Sequence, residues 1–150
     1  MKKVWVVLSM GLFLVGLAHT AFASASSEEA KAMVERAGAY FQANGKEKAL
    51  KEFNNPQGQF VKGELYVFAW DMNGTNIAHP INPKQVGVNV LDVPDVDGKY
   101  FRKEGMELVK KNGTAWVDYK FKNPKTNKVE QKTTYLKKVG DVVLGCGAYK

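Results

Sequence analysis

The residues with chemical potential fall into two clusters on either side of a long, irregular stretch. Tyr66, Phe68 and Trp70 alternate along one run of sequence, and His79 follows just across a turn. Further on, Trp116 and Tyr119 lie on one strand-like segment and Lys132 and Tyr135 on the next. Aromatic walls with a few placed polar groups are the usual composition of a small-molecule pocket. The same aromatics also suit a packed core. Period-2 alternation puts Trp116 and Tyr119 on opposite faces of a strand, and Lys132 and Tyr135 likewise, so the eight cannot all point into one cavity.

Other chemistries lack their parts. Past the leader the chain has one histidine, His79, and one cysteine, Cys146, far apart in sequence, so no zinc-ligand spacing exists. Setting Gly98 in the invariant glycine position of a calcium loop places Asp95, Asp97 and Glu104 at ligand positions. Val93 then occupies the first ligand position, and no helix pair flanks the segment; an acidic loop leading into a helix is the reading. Nucleophilic catalysis needs a nucleophile, a base and an orienting group, and no such trio is visible. Phosphate-loop, dinucleotide and nucleophile-elbow motifs are missing too. No catalytic residue, metal or cofactor is expected. A single cysteine forms no internal disulfide, and "VVLGCGAYK" reads as an apolar strand with a buried thiol.

The elements that must position these residues begin with a helix. In "SSEEAKAMVERAGAYFQANG", Ser26 and Glu29 have capping-box spacing, and Ala30, Met33, Val34, Ala37, Tyr40 and Phe41 form an apolar stripe ended by Asn44-Gly45. A second short helix spans about 46 to 53. From Leu65 the period becomes 2, and both faces of the strand are apolar, as in a sheet covered on both sides. Asp71-Met72-Asn73-Gly74 is a hairpin turn, and the returning strand stops at Pro80. Residues 80 to 98 form a long irregular connection, of the kind that is often functional. A helix from about Lys99 to Asn112 follows, then strands over 114–122, 129–139 and 142–149. This order predicts an α+β fold with one antiparallel sheet.

The 150 residues carry a formal charge of +7, of which Lys2 and Lys3 supply two. Arg36 and Arg102 are the only arginines, and lysine is dispersed rather than gathered on one face, so nucleic acid is not an expected partner. "KFKNPKTNK" reads as a polar hairpin tip, with contact to anionic lipid or an acidic partner as the alternative. Lys2 and Lys3, the apolar Val4 to Leu17 and the small residues Ala21, Ala23 and Ala25 form a secretory signal over residues 1–23, with cleavage expected between Ala23 and Ser24. The apolar core is short for a membrane span. A periplasmic or secreted protein is expected, with retention as an N-terminal anchor as the alternative.

Several segments in order resemble the single Cache domain family, the extracytoplasmic sensing domains of bacterial chemoreceptors and sensor kinases. They are Tyr-x-Phe before an Asp-x-Asn-Gly turn, Ala78-His79-Pro80, Gly87 to Leu91, Asp97-Gly98-Lys99, Lys132-x-x-Tyr135, and the closing Gly145 to Tyr149. The resemblance runs from about Ala30 to Tyr149, in a domain taken as residues 24–150. It implies a PAS-like fold: a long N-terminal helix packed on a five-stranded antiparallel sheet, with a ligand pocket on the other face. It implies a non-enzymatic sensor that binds a small metabolite, often a short carboxylate such as acetate, propionate or pyruvate. By position, His79, Lys132 and Tyr135 become polar pocket candidates, and Tyr66, Phe68, Trp70, Trp116 and Tyr119 candidate walls. Cache receptors continue into a transmembrane helix and an output domain, whereas this sequence reaches Lys150 one residue past the last strand. The expectation is therefore a stand-alone sensory domain acting with a separate membrane-bound signalling partner. The N-terminal helix is a candidate for pairing with a second copy. The alternative is an interaction or structural protein that kept the fold without the ligand.

Overall fold

The computed structural model describes residues 25–150. The expected leader and its cleavage site at Ala23 and Ser24 lie outside the described residues. Helix α1 (Ser27–Asn44) starts at the capping box read from the sequence. Ser26 Oγ accepts from the Glu29 N–H, and the Glu29 carboxylate accepts from the Ser26 N–H. It stops at Gly45, whose φ of +81° few other residues adopt. Helix α2 (Lys46–Phe53) follows directly.

A two-residue pair, β1 (Val61–Lys62) and β2 (Leu65–Tyr66), comes next, and then β3 (Phe68–Asp71) and β4 (Asn76–Ala78). The sequence reading had one strand running unbroken from Leu65. The break falls at Val67, whose N–H is drawn to the Phe60 carbonyl at 3.0 Å and away from the main sheet. At the hairpin turn, Asp71 Oδ1 accepts from the N–H groups of Asn73 (2.8 Å) and Thr75 (2.9 Å), and Gly74 takes φ +84°. A 3-10 turn (Pro83–Gln85), helix α3 (Phe101–Asn112) and strands β5 (Thr114–Lys122), β6 (Val129–Val139) and β7 (Val142–Tyr149) complete the chain. Helix α3 begins two residues later than expected. Asp95 Oδ1 takes the N–H groups of Asp97 and Lys99, and Oδ2 that of Lys120, which holds 95–99 as a turn.

The main sheet is antiparallel with order β4-β3-β7-β6-β5. The connection over 80–98 is less irregular than the sequence suggested. Gly87 and Val90 donate to Asn76 and Gly74, and Asn76 donates to Val88, so the segment runs along the otherwise open edge of β4.

Two cores lie on opposite faces of this sheet. Helices α1 and α2 cover one with Met33, Val34, Phe53, Phe60, Val142 and Cys146. The other is built from Phe68, Trp70, Val90, Phe101, Tyr119 and Leu136 under α3 and the long connection. Period-2 alternation thus sends Leu65, Val67 and Ala69 to the helical side and Tyr66, Phe68 and Trp70 to the other, which covers both faces as expected.

Candidate ligand-binding site

The second face holds a cavity between the sheet, the start of α3 and the long connection. It offers ≈ 30 Å³ to the centres of water-sized spheres, where one water needs roughly 10–15 Å³. Its scale is that of a ligand with a few heavy atoms. Tyr66, Phe68 and Trp70 form one wall and Phe101, Tyr119 and Phe121 the other. Phe101 and Tyr119 stack with ring centroids 3.7 Å apart and planes 7° from parallel. The polar lining comes from Asn76, His79, Gln85, Arg102 and Thr134, together with the Tyr66 and Tyr119 hydroxyls. No carboxylate is among the lining residues.

The floor is made by what β7 lacks. On the pocket side of that strand stand Gly145 and Gly147. A Cβ on Gly145 would lie 2.3 Å from the Phe68 ring, and one on Gly147 would lie 2.6 Å from Lys132 Cε and 2.4 Å from Thr134 Oγ1. Glycine at both places lets an aromatic ring and a lysine stem lie flat against the strand.

Lys132, paired with Tyr119 on β5 and Tyr149 on β7, is almost completely buried, at 2% exposure. Its ammonium lies 4.5 Å from the ring centroid of Tyr149, 5.0 Å from that of Tyr66 and 5.6 Å from that of Phe121. Tyr66 and Phe121 are themselves cavity walls. Among the described residues the ammonium makes no ion pair and no hydrogen bond; the aromatic faces are its partners. Burial pushes its pKa down to about 8.

His79 is fixed from two sides. Its backbone N–H donates to Asn54 Oδ1 at 3.0 Å, and its Nδ1 accepts from the Asn82 N–H at 2.9 Å. Its ring packs on Tyr66, centroids 5.0 Å apart. Burial and then the Lys132 charge hold its pKa down at about 4. The ring is therefore neutral at pH 7 with its proton on Nε2, which is left to act as a donor. Burial also lifts the Tyr119 hydroxyl to about 12, and this group shares a 2.8 Å hydrogen bond with Thr134 Oγ1. The Tyr66 hydroxyl is raised further by the same cause. The titratable groups at the site are thus donors or cations near neutrality, while the Asn76, Gln85 and Thr134 side chains can donate or accept.

Of the eight sequence candidates, Tyr66, Phe68, Trp70, His79 and Tyr119 line the cavity, and Lys132 sits on the same face against two of its walls. Trp116 and Tyr135 do not belong with them. They are opposite each other on β5 and β6, their ring centroids 5.0 Å apart, and both point to the α1 side. There the Tyr135 hydroxyl donates to Glu35 at 3.0 Å, Lys137 pairs with the same carboxylate, and Trp116 remains 41% exposed. Strand alternation is the reason. Cys146 also faces α1, its thiol pushed up to about 12 by burial, 3.9 Å from Met33 Sδ. The sequence reading missed Arg102, Asn76, Gln85, Phe101, Phe121 and Thr134. Arg102 carried a signal: it is one of two arginines in a lysine-rich chain, placed where the long connection meets α3.

An α1-backed antiparallel sheet with a small aromatic cavity on its other face is the architecture of extracytoplasmic sensing domains. The family described as Single Cache domain 2 matches residues 22–150, and the chain belongs to it. Single Cache domains are extracytoplasmic sensor domains of chemoreceptors and histidine kinases, typically signalling rather than enzymatic. Two solved structures share the fold. A methyl-accepting chemotaxis protein from Vibrio parahaemolyticus RIMD 2210633 is 22% identical, with TM-score 0.68 over 81% of this chain and 86% of that one. A Cache chemosensory domain studied for carboxylic acid recognition is 28% identical, with TM-score 0.68 over 82% of this chain and 92% of that one. The sensor histidine kinase MctS of Rhizobium johnstonii (strain DSM 114642 / LMG 32736 / 3841) is 31% identical over 86 residues, which is 56% of this chain and 18% of the kinase. The chain therefore spans less than a fifth of the length of that curated relative.

Proposed function

We propose that this Cache domain reversibly binds a short carboxylate, or an anion of similar size, and passes its occupancy to a separate signalling partner. One observation carries the reading: a small aromatic cavity flanked by the buried cations Arg102 and Lys132 has no carboxylate in its lining to balance them. Glu64, outside the lining, pulls on Lys132 electrostatically but forms no ion pair with it, and a buried cation without a direct counter-ion is costly; a bound anion would supply one. Lys132 would give the ligand carboxylate a charge-assisted hydrogen bond once Tyr66 or Phe121 yields, with His79 Nε2–H and the Tyr66 hydroxyl as further donors. Phe68, Trp70 and Tyr119 would enclose the short apolar end. Trp116 and Tyr135 have no part in this site. The related domain studied for carboxylic acid recognition supports the choice of ligand class.

This activity would be exerted outside the cytoplasm, after removal of residues 1–23 or with them kept as an anchor. Among the described residues no helix is long and apolar enough to cross a membrane. A thermal-shift screen against small carboxylates, amino acids, amines and purines tests the proposal. Carboxylates should raise the melting temperature, since ligand at 100 times its Kd stabilises a fold by about 2.7 kcal/mol. A flat screen at millimolar concentrations would favour the second reading, a docking protein without a ligand. The exposed Ile81, Val88, Val93 and Val96 on the long connection lend that reading its support.

A further inference from the structure

Glu64 lies in the two-residue turn between β1 and β2, and its side chain is only 12% exposed. Leu65 goes to the helical core and Tyr66 to the pocket side, so Glu64, two residues before Tyr66, is carried to the pocket side as well. There it meets the end of the sheet that holds Lys132. The ammonium lies over the Tyr66 and Tyr149 rings, and the Glu64 charge is felt by both Lys132 and the Tyr149 hydroxyl. The carboxylate itself is poorly matched. Oε1 is 3.7 Å from the Nζ of Lys125, a side chain 64% exposed at the β5–β6 tip, and Oε2 is buried without a hydrogen-bond partner among the described residues. A buried carboxylate oxygen in that state weakens the fold. Its effect on the charge of the site is large. Arg102 and Lys132 are buried cations on the pocket face, His79 is neutral near pH 7, and Tyr66, Tyr119 and Tyr149 hold their protons. With Glu64 opposing them, the two cations leave a net of one positive charge. One negative charge on a ligand closes that sum. Two would leave a buried excess, which is costly away from water.

We propose that Glu64 is a charge-selectivity residue of this site, whose carboxylate restricts the cavity to ligands with a single negative charge. The inference rests on the anion-binding reading of Lys132 and narrows its ligand class. Glu64 acts without touching the ligand, through its field. It offsets part of the attraction of Lys132 for any anion, and it repels a dianion twice as strongly as a monoanion. A monocarboxylate therefore keeps most of the gain from the buried ammonium, whereas a dicarboxylate of similar length loses it.

Calorimetric titration at pH 7 of the wild type, E64Q and E64D tests this with propionate and with malonate, which has a second carboxylate in place of the propionate methyl. The wild type should bind propionate and strongly prefer it to malonate. E64Q keeps the shape of the side chain and removes its charge. It should narrow the preference by roughly five- to twentyfold, the scale of one charge–charge repulsion at a partly screened distance. Without Glu64 the Lys132 ammonium is held less firmly, but that weakens both ligands alike and leaves their ratio unchanged. E64D keeps the charge and should keep the wild-type preference. Propionate binding by the wild type, with an E64Q preference equal to the wild-type one or an E64Q protein that still binds no malonate, would overturn the role of Glu64 and leave the anion reading intact. A preference lost as fully in E64D as in E64Q would do the same, since shape rather than charge would then decide. So would wild-type protein that binds malonate as tightly as propionate. Wild-type protein that binds neither propionate nor acetate nor pyruvate would overturn both readings together.

Discussion

An ammonium buried against three aromatic rings with no ion-pair partner among the described residues weakens a fold unless something else gains from it, and Lys132, on which Glu64 acts only at a distance, is such a group. Its pKa of about 8, against 10.5 for a free lysine, gives the cost a sign and a window. Between these values the unfolded chain binds more protons at this site than the folded one. Stability from this group therefore rises with pH across that range, and the penalty is full below about 8. Lys132→Met should accordingly raise stability by roughly 1–3 kcal/mol at pH 7, seen as a higher melting temperature, while abolishing carboxylate binding. A lower melting temperature in K132M would mean the aromatic faces already compensate the charge. Carboxylate affinity in the wild type should fall as pH climbs above about 8, since an uncharged Lys132 must first take up a proton; calorimetry at pH 7 and pH 9 checks it. His79 has the opposite window. With its pKa near 4 against 6.5 unfolded, its contribution is full above 6.5 and is lost as pH falls toward 4, because protonation of Nδ1 breaks the bond from Asn82. His79→Gln should flatten the melting-temperature profile between pH 6.5 and 4. At this scale the sequence showed the residue types but not their neighbours. Lys132 and His79 stood out, whereas Arg102, marked only by its rarity, is held at the cavity by a carbonyl nine residues earlier that no spacing rule reveals.

The elements themselves were legible where one local rule decided them. The capping box at Ser26 and Glu29, the left-handed stop at Gly113 and the two long hairpins of β5, β6 and β7 lie where periodicity and turn residues placed them. Boundaries moved where a distant partner intervened, as at Val67, taken by Phe60, and at Lys99, taken by Asp95. Strand alternation already separated Trp116 from Tyr119 and Lys132 from Tyr135, but without knowing which face was the pocket it could not say which pair member to keep. β7 holds a clue in its pair of glycines. Gly145→Ala should destabilise by about 1–3 kcal/mol, because the new methyl meets Phe68 and Leu136 within a packed sheet. Gly147→Ala should act on function as well as stability, displacing the Lys132 stem and the Thr134 hydroxyl. Chemical denaturation paired with ligand titration separates the two effects, and G147A with unchanged ligand affinity would remove Lys132 from the site.

At the scale of the molecule, one sheet divides the domain into two halves, each with its own core. Helices α1 and α2 close the first with an apolar core, in which Cys146 is a buried, protonated thiol. The second is closed by a short helix and the connection over 80–98, and the buried cations Arg102 and Lys132 lie there. On the proposed function, ligand would act on this second half, and it can shift only an equilibrium that is open to it. The measurement that bears on this account most directly is a calorimetric titration of propionate into the wild type and K132M, side by side at pH 7. Saturable binding by the wild type and none by a K132M protein that melts at or above the wild-type temperature is the expected result. No binding by the wild type, or equal binding by both, would contradict it.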